Sequence, residues 1–159
     1  MFDAPIDATY AWLGIALVSV VTAGVVASLP SSPPPDAAGV AHTIDSVADG
    51  EHPATAEHGL GADRIRLTDR SVALETGDEV AHTTLLAPRI TPVLTWEEGS
   101  DDLRRVLKGV PPEQVFDDPG AFEDAARDAR AADHEWHPAP NRLRVRQAHY
   151  DDVRVTLVG

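Results

Sequence analysis

Residues 141–159, which close the chain, read NRLRVRQAHYDDVRVTLVG. In both halves of this segment a branched apolar residue alternates with arginine or threonine. The alternating apolar residues are Leu143, Val145, Val153, Val155 and Leu157. A period of two residues is typical of a β-strand that buries one face, and an acidic pair interrupts the pattern at Asp151 and Asp152. We therefore predict a terminal hairpin of two strands that turns near Asp151.

Further strand patterns precede this hairpin. They are DRIRL at 63–67, SVALE at 71–75, EVAHTTLL at 79–86 and ITPV at 90–93. Thr76, Gly77 and Asp78 separate two of these strands and predict a hairpin turn. Pro92 predicts that the last strand lies at a sheet edge or ends there. The segments EHPATAEHGLGA at 51–62 and EWHPAPN at 135–141 are predicted as loops.

Three segments carry helix patterns, each with an acidic residue at its start. Asp36 is the predicted N-cap of a helix from 37 to about 48. Its inward residues are Ala37, Val40, Ala41, Ile44, Val47 and Ala48. Asp101 or Asp102 begins a short helix that ends near Gly109, and Asp118, followed by a proline, begins a helix to about 132. The fold class is therefore α+β, with one small antiparallel sheet of about five strands and two or three helices on one face.

A different pattern fills the beginning of the chain, where residues 8–35 carry no charge. As a helix, residues 8–29 would be about 33 Å long, which matches the roughly 30 Å hydrocarbon core of a bilayer. Tyr10 and Trp12 lie at the start of this run and Leu29 at its end, before a proline-rich stretch. We predict a short polar N-terminus at 1–9, a transmembrane helix at 10–29 anchored by these three residues, a Pro-rich linker at 30–36 and a soluble domain at 37–159.

Two alternatives compete with a membrane anchor for this run. A soluble core helix would have a polar face, but between residues 11 and 27 only Ser19 and Thr22 are polar. A cleaved signal peptide would have a basic start, whereas residues 1–9 contain two aspartates and no basic residue. Val25 and Ala27 do match a small-residue cleavage pattern, so cleavage of this segment remains an alternative. Ser19, Ala23 and Ala27 recur every four residues and form a candidate helix-packing face, although such residues are common in any span.

The charge balance limits the partners of this chain. It has 26 acidic and 13 basic residues, a net charge of −13, and Lys108 is its only lysine. Such a composition is typical of proteins that stay hydrated in molar salt. It argues against binding nucleic acid or an anionic membrane surface through a basic patch. The lack of cysteine excludes disulfides, thiol nucleophiles and cysteine-ligated metals.

Few side chains point to a binding or catalytic role. Five arginines could line one side of the sheet as a surface for an acidic partner, or could each pair with a nearby carboxylate. They are Arg64, Arg66, Arg142, Arg144 and Arg146. The histidine pairs His134/His137 and His52/His58 come nearest to metal-ligand spacing, but nothing in the pattern fixes their geometry. No nucleophile motif or phosphate loop is present. We predict no catalytic residue, metal site or cofactor.

Several longer segments together resemble a known family. They are PPPDAAGVAHTIDSVA at 33–48, HPATAEHGLGADRIRL at 52–67, GVPPEQVFDDPGAFEDAARDARA at 109–131 and VRVTLVG at 153–159. With the uncharged run, they resemble a haloarchaeal family of small single-span membrane proteins of unknown function. The resemblance implies genes near type IV pilus or secretion-like components, and no known active site. A pilin itself fits less well, because no basic residue precedes the run and the prolines at 30–35 interrupt the helix after it.

We therefore expect a non-enzymatic, single-pass membrane protein that belongs to a surface or type IV pilus/secretion-like assembly. Its expected partners are the lipid bilayer and other membrane proteins of that assembly, and not nucleic acid. The alternative is a membrane-tethered domain that captures a ligand or peptide. No Lys or Arg precedes Arg64, so the positive-inside rule gives no orientation. We expect the soluble domain on the extracytoplasmic side.

Overall fold

The computed structural model describes residues 34–87, 89–93 and 101–159. These residues form three α-helices, a short 3₁₀ turn and eight strands in two four-stranded sheets. The helices are α1 (Ala37–Ala48), α2 (Asp101–Leu107) and α3 (Pro119–Ala131), and the 3₁₀ turn is Pro112–Gln114. The strands are β1 (Thr55–Gly59), β2 (Arg64–Leu67), β3 (Ser71–Thr76), β4 (Glu79–Thr84), β5 (Thr91–Pro92), β6 (His137–Pro138), β7 (Arg142–Tyr150) and β8 (Val153–Val158). The α+β class is confirmed.

The first sheet has the strand order β1-β7-β8-β5 and is built on the terminal hairpin. Strands β7 and β8 pair antiparallel from Tyr150 opposite Val153, with a two-residue turn in which Asp151 has a φ of 50°. Strand β1 pairs antiparallel with β7, and β5 pairs parallel with β8 at the sheet edge. The predicted hairpin and the edge position of Pro92 are both confirmed.

The second sheet has the order β4-β3-β2-β6, and all its pairs are antiparallel. Strands β3 and β4 form the predicted hairpin, in which Gly77 has a φ of 58°. Glycine suits this turn because it has no Cβ to clash in the left-handed region. Ile65, Leu67, Val72 and Leu74 are fully buried and belong to one hydrophobic core cluster.

The prediction of a single sheet of about five strands is wrong, because the strands form two separate sheets. Two of the eight strands come from segments predicted as loops. Strand β1 has the sequence TAEHG, and β6 contains only a histidine and a proline. Neither segment carries a run of large apolar residues. Their extended conformation comes from pairing with β7 and β2, respectively. These two strands are therefore determined by backbone hydrogen bonding to a neighbouring strand and not by burial of their own side chains.

Helix α1 joins the two sheets. It contacts β1, β7 and β8 of the first sheet and β3 and β4 of the second. The Asp36 carboxylate accepts a hydrogen bond from the Gly39 N–H at 2.8 Å and caps the helix as predicted. All six predicted inward residues are buried, and Ile44 is completely inaccessible. Burial of one such isoleucine contributes about 1.5–3 kcal/mol.

Helices α2 and α3 pack on the opposite face of the first sheet, so the prediction that all helices share one face is also wrong. Neighbouring residues of β7 show this directly. The Gln147 side chain bonds to the last residue of α1, whereas the Arg146 side chain bonds to the Val106 carbonyl of α2. Successive side chains of a strand point to opposite faces. The first sheet is therefore a middle layer between α1 and the pair α2 and α3.

A second core cluster fills the α2 and α3 side of that sheet. Its members are Val93, Leu103, Val106, Leu107, Phe122, Ala126, Ala148, Val155 and Leu157. Asp118 caps α3 by accepting from the Ala121 N–H at 2.9 Å, with Pro119 at the first helical position. The first residues of α2 and α3 agree with the sequence predictions. The predicted end of α2 near Gly109 agrees as well, and Gly109 has a φ of 118°.

None of the helices described at 34–87, 89–93 and 101–159 is long and apolar enough to cross a membrane. The predicted span at 10–29 lies outside the described residues. The same holds for its predicted anchors Tyr10, Trp12 and Leu29, and for its candidate packing face at Ser19, Ala23 and Ala27. These remain predictions.

Candidate binding surfaces

The five arginines proposed as one surface are divided between the two sheets. Arg64 and Arg66 lie on β2 of the second sheet, and Arg142, Arg144 and Arg146 lie on β7 of the first. The alternation that suggested a common face holds within each strand. It does not carry over from one strand to the other, because β2 and β7 do not pair.

Arg64 and Arg66 lie over a single aromatic ring. Their guanidinium carbons are 5.6 and 5.0 Å from the ring centroid of Trp136. Arg64 also forms an ion pair with Glu75 on β3, with 3.2 Å between Nη1 and Oε1. A cation over an indole at an exposed site contributes about 0.5–1 kcal/mol. The sequence places Trp136 in a predicted loop, and its partnership with these arginines depends on the pairing of β6 with β2 beside it.

Arg142 and Arg144 share one carboxylate across the β1–β7 pair. Arg142 Nη1 is 3.3 Å from Glu57 Oε2, and Arg144 Nη2 is 2.5 Å from Glu57 Oε1. Hydrogen bonds from Arg144, and then from Arg142, lower the pKa of Glu57 below its ordinary value. One carboxylate neutralises only one of the two cations. The pairing alternative therefore describes these residues, with one positive charge left over.

Arg146 has a different environment from the other arginines of β7. Its Nη1 donates to the Val106 carbonyl at 2.5 Å and lies 3.4 Å from the Val110 carbonyl. These carbonyls lie at and just beyond the C-terminal end of α2, where the helix dipole favours a cation. Arg146 thus fastens α2 to the first sheet.

One histidine of each candidate pair has another hydrogen-bonding partner. His58 Nδ1 is 3.0 Å from the Thr43 hydroxyl oxygen on α1, and His134 Nε2 is 3.2 Å from the Arg130 carbonyl at the end of α3. Within the described parts of the chain, no three His, Asp or Glu side chains are grouped closely enough to hold a metal ion.

A cleft that the sequence did not predict is lined by four other arginines. They are Arg70, Arg89, Arg130 and Arg154, and Thr84 and Thr156 lie among them. The cleft is open to solvent and has a volume of about 700 Å³. Arg70 precedes β3, Arg89 precedes β5, Arg130 is in the last turn of α3 and Arg154 is on β8. The four side chains therefore converge only in the folded chain.

Positive charge in this cleft is only partly neutralised. Arg70 Nε is 3.6 Å from Asp69 Oδ2, a loose and exposed pair. Arg130 donates from Nε to the Thr91 hydroxyl at 2.9 Å. Among the described residues, no carboxylate lies within 4.0 Å of Arg89 or Arg154.

Two groups at or beside the cleft have lowered pKa values, with burial as the first cause and a cleft arginine as the second. Burial lowers the pKa of Arg130, and the charge of Arg89 lowers it further, while Glu123 and Asp69 oppose them. On the neighbouring strand, burial lowers the pKa of His149, followed by the charge of Arg154, which lies directly opposite it. In both cases a cleft arginine adds to the effect of burial.

One wall of the cleft is held by α1. The Asp45 carboxylate accepts hydrogen bonds from the backbone N–H groups of Leu86 at 3.1 Å and Ala87 at 2.9 Å. These bonds fix the segment after β4, of which Leu85 and Ala87 line the cleft. The Leu86 side chain points away and is 91% exposed.

The chain is thus a small α+β protein that is acidic overall and carries local clusters of arginine. The chain belongs to a family of unknown function, DUF7283, which matches residues 3–148. The match includes the uncharged run and most of the described domain. No curated protein and no solved structure matches the chain.

Proposed function

We propose that this protein is a non-enzymatic, membrane-anchored component of a haloarchaeal surface or type IV pilus/secretion-like assembly. The observation that carries the proposal is the uncharged run at 8–29. A helix of that length satisfies its backbone hydrogen bonds internally and can therefore lie in lipid. Only five residues, 30–34, separate it from Pro35, the first buried residue of the described domain.

The patch formed by Arg64, Arg66 and Trp136 supports a role in assembly. Arginine and tryptophan are the residue types most enriched at the centres of protein interfaces. Here both guanidinium groups already lie against the indole, so that they lose little conformational entropy when a partner binds. An acidic surface on another chain would complement them.

The acid-rich composition supports a haloarchaeal source. A two-to-one excess of carboxylates over cations would repel itself at low ionic strength. At about 1 M salt the screening length falls to about 3 Å, so that distant carboxylates no longer repel one another. The resemblance to membrane proteins encoded near pilus-like components points to the same setting.

Membrane anchoring is tested with a pair of double variants. Val18→Asp with Val21→Asp places two charges near the middle of the run, each costing about 2.5–3.5 kcal/mol in a bilayer. Val18→Leu with Val21→Leu is the matched control. After a high-salt wash we expect the wild type and the leucine variant in the membrane fraction, and the aspartate variant depleted from it. Wild-type protein in the soluble fraction, lacking residues 1–29 by mass spectrometry, would overturn the anchor.

The role in an assembly is tested by deleting the gene and scoring pili, adhesion and secretion. The strain is complemented with the wild-type gene, with the aspartate variant and with the leucine variant. We expect a defect in at least one trait, restored by the wild type and the leucine variant alone. A strain that is unchanged in all three traits would remove the assembly proposal. Protease treatment of whole cells shows on which side of the membrane the folded domain lies. We expect the protease to cleave the domain from outside the cell.

A second candidate function is ligand capture by a membrane-tethered domain. The observation that favours it is the arginine-lined cleft, because a concave site with convergent polar groups is the usual form of a small-molecule site.

A further inference from the structure

We propose that the cleft lined by Arg70, Arg89, Arg130 and Arg154 binds a small anion that carries two or more oxyanion groups, either phosphates or carboxylates. This inference specifies the ligand of the second candidate function and rests on it. It does not require the membrane anchor.

The first argument is the contrast between these arginines and most of the others. In a chain with twice as many acidic as basic residues, an arginine readily finds a carboxylate. Those that form an ion pair away from the cleft are Arg64, Arg104, Arg105, Arg127, Arg142 and Arg144. Outside the cleft, the arginines without an ion pair among the described residues are Arg66, which lies over Trp136, and Arg146, which donates to the Val106 carbonyl. Arg89 and Arg154 have no such pair among the described residues, and Arg70 has only a loose one. A cleft lined by positive charges that lack carboxylate partners attracts anions.

The second argument is the preorganisation of Arg130. Its guanidinium is half-buried at the end of α3, and the Nε bond to Thr91 fixes the plane of the group. Thr91 is itself fully buried on β5. Both terminal nitrogens stay available, because no described residue accepts from them. A guanidinium held in this way can donate two parallel hydrogen bonds to a phosphate or a carboxylate.

The lowered pKa values of Arg130 and His149 agree with this assignment. Burial is the first cause of each shift, and the charge of a cleft arginine is the second. A bound anion would oppose the lowering of the pKa by Arg89 and Arg154, and so would raise the pKa of both Arg130 and His149. The cleft therefore holds cations that repel one another and that an anion would stabilise.

The size of the cleft and the charge of the chain together limit the ligand to a small one. A volume of about 700 Å³ is within the range of small-molecule sites, which is roughly 300–1,000 Å³. A long polyanion such as a nucleic acid would extend beyond the cleft over a surface with a large excess of carboxylates. A small anion avoids that repulsion. Thr84 and Thr156 also line the cleft, and a threonine hydroxyl can donate a hydrogen bond to an anion oxygen.

The proposal is tested by isothermal titration of the full chain in a non-ionic detergent with pyrophosphate and, separately, with citrate. We compare two double variants that each remove two positive charges. Arg89→Gln with Arg154→Gln alters the cleft, and Arg105→Gln with Arg127→Gln alters exposed arginines elsewhere. We expect at least one probe to bind. We expect the cleft variant to weaken it about tenfold or more, and the control to change it by less than about twofold.

Two outcomes would overturn the proposal. One is no binding of either probe to the wild type at the lowest salt concentration at which circular dichroism shows the chain to be folded. The other is equal weakening by both double variants, which would mean general attraction and no site. Binding of pyrophosphate alone assigns the cleft to phosphates, and binding of citrate alone assigns it to carboxylates. Loss of the pyrophosphate signal in micelles doped with an anionic phospholipid assigns the phosphate to a lipid headgroup, whereas a persistent signal assigns it to a free anion.

These results are separable from the proposed functions. If neither anion binds but an uncharged peptide is captured, ligand capture survives and the oxyanion inference fails. The fractionation of the aspartate and leucine variants reports the anchor whatever the titration gives.

Discussion

The side chain of Gln147 is a buried polar connection between the first sheet and α1, and its removal gives a sharp test of the fold. Gln147 is completely inaccessible to solvent. Its Nε2 donates to the Ala48 carbonyl at 3.0 Å, and its Oε1 is 3.2 Å from Nε2 of His149. A carbonyl oxygen only accepts, so His149 carries the proton of the second bond. The Ala48 carbonyl ends α1, where no intrahelical donor remains.

We predict that Gln147→Met lowers the free energy of unfolding by about 2 kcal/mol. Methionine has nearly the shape of glutamine, so packing changes little. The loss comes from the hydrogen bond itself and from the Ala48 carbonyl, which stays buried without a donor at a cost of about 1–3 kcal/mol. For a domain of this size, roughly 4 °C of melting temperature corresponds to each kcal/mol. The expected shift is therefore about 8 °C downward.

The matched control is Gln114→Met, because Gln114 is the other glutamine of the chain and lies exposed in the 3₁₀ turn. Thermal unfolding of the full chain is followed by circular dichroism at one fixed salt concentration, since acid-rich chains depend on salt. Hydrogen exchange at the C-terminal turn of α1 should quicken in the Gln147 variant alone. Equal melting temperatures for the two variants would refute the reasoning.

Three further predictions concern stability. Because the pKa of His149 is lowered in the fold, the unfolded chain takes up a proton first as pH falls below about 6.5, and stability is lost there. The free energy of unfolding, measured by urea unfolding between pH 5 and 8, should therefore depend less on pH in His149→Asn, whereas the exposed control His42→Asn should keep the wild-type dependence. An unchanged pH dependence in His149→Asn would contradict the prediction. Asp118→Ala should cost about 1 kcal/mol through loss of the α3 cap, and Asp117→Ala much less; equal urea midpoints would exclude the cap. Phe122→Ala should cost about 3–5 kcal/mol in the same assay, because the ring is fully buried in the α2 and α3 core; a loss below about 1 kcal/mol would count against that core.

The helices and the two hairpins could be predicted from sequence because burial and local chemistry point the same way in each. In α1 the inward residues recur at helical spacing and an aspartate stands at the cap position. In the β3–β4 hairpin, Gly77 allows the turn that the flanking strands need. Strand β1 could not be predicted in this way, since TAEHG buries no large apolar side chain and is held by its backbone pairing with β7.

The missing strand explains why the sequence left the carboxylate partner of two proposed surface arginines open. Without β1, nothing in the sequence places Glu57 beside Arg142 and Arg144, which are 85 and 87 residues away. The cleft was missed for a related reason. Its four arginines lie on four separate elements, and no periodicity connects residues that only tertiary packing brings together. Short-range patterns report which face of an element is buried, but not which elements become neighbours.

The two cationic surfaces separate the two proposed functions physically. On β2, the Arg64 and Arg66 guanidiniums lie over Trp136, so this patch combines charge with an apolar ring, as protein interfaces do. The cleft is lined by arginines and threonines, which suits a small and strongly hydrated anion. The surfaces lie on different elements, so Arg66→Gln should impair assembly without changing anion affinity, and Arg89→Gln with Arg154→Gln should do the reverse. A loss of both properties in either variant would mean that one surface serves both functions.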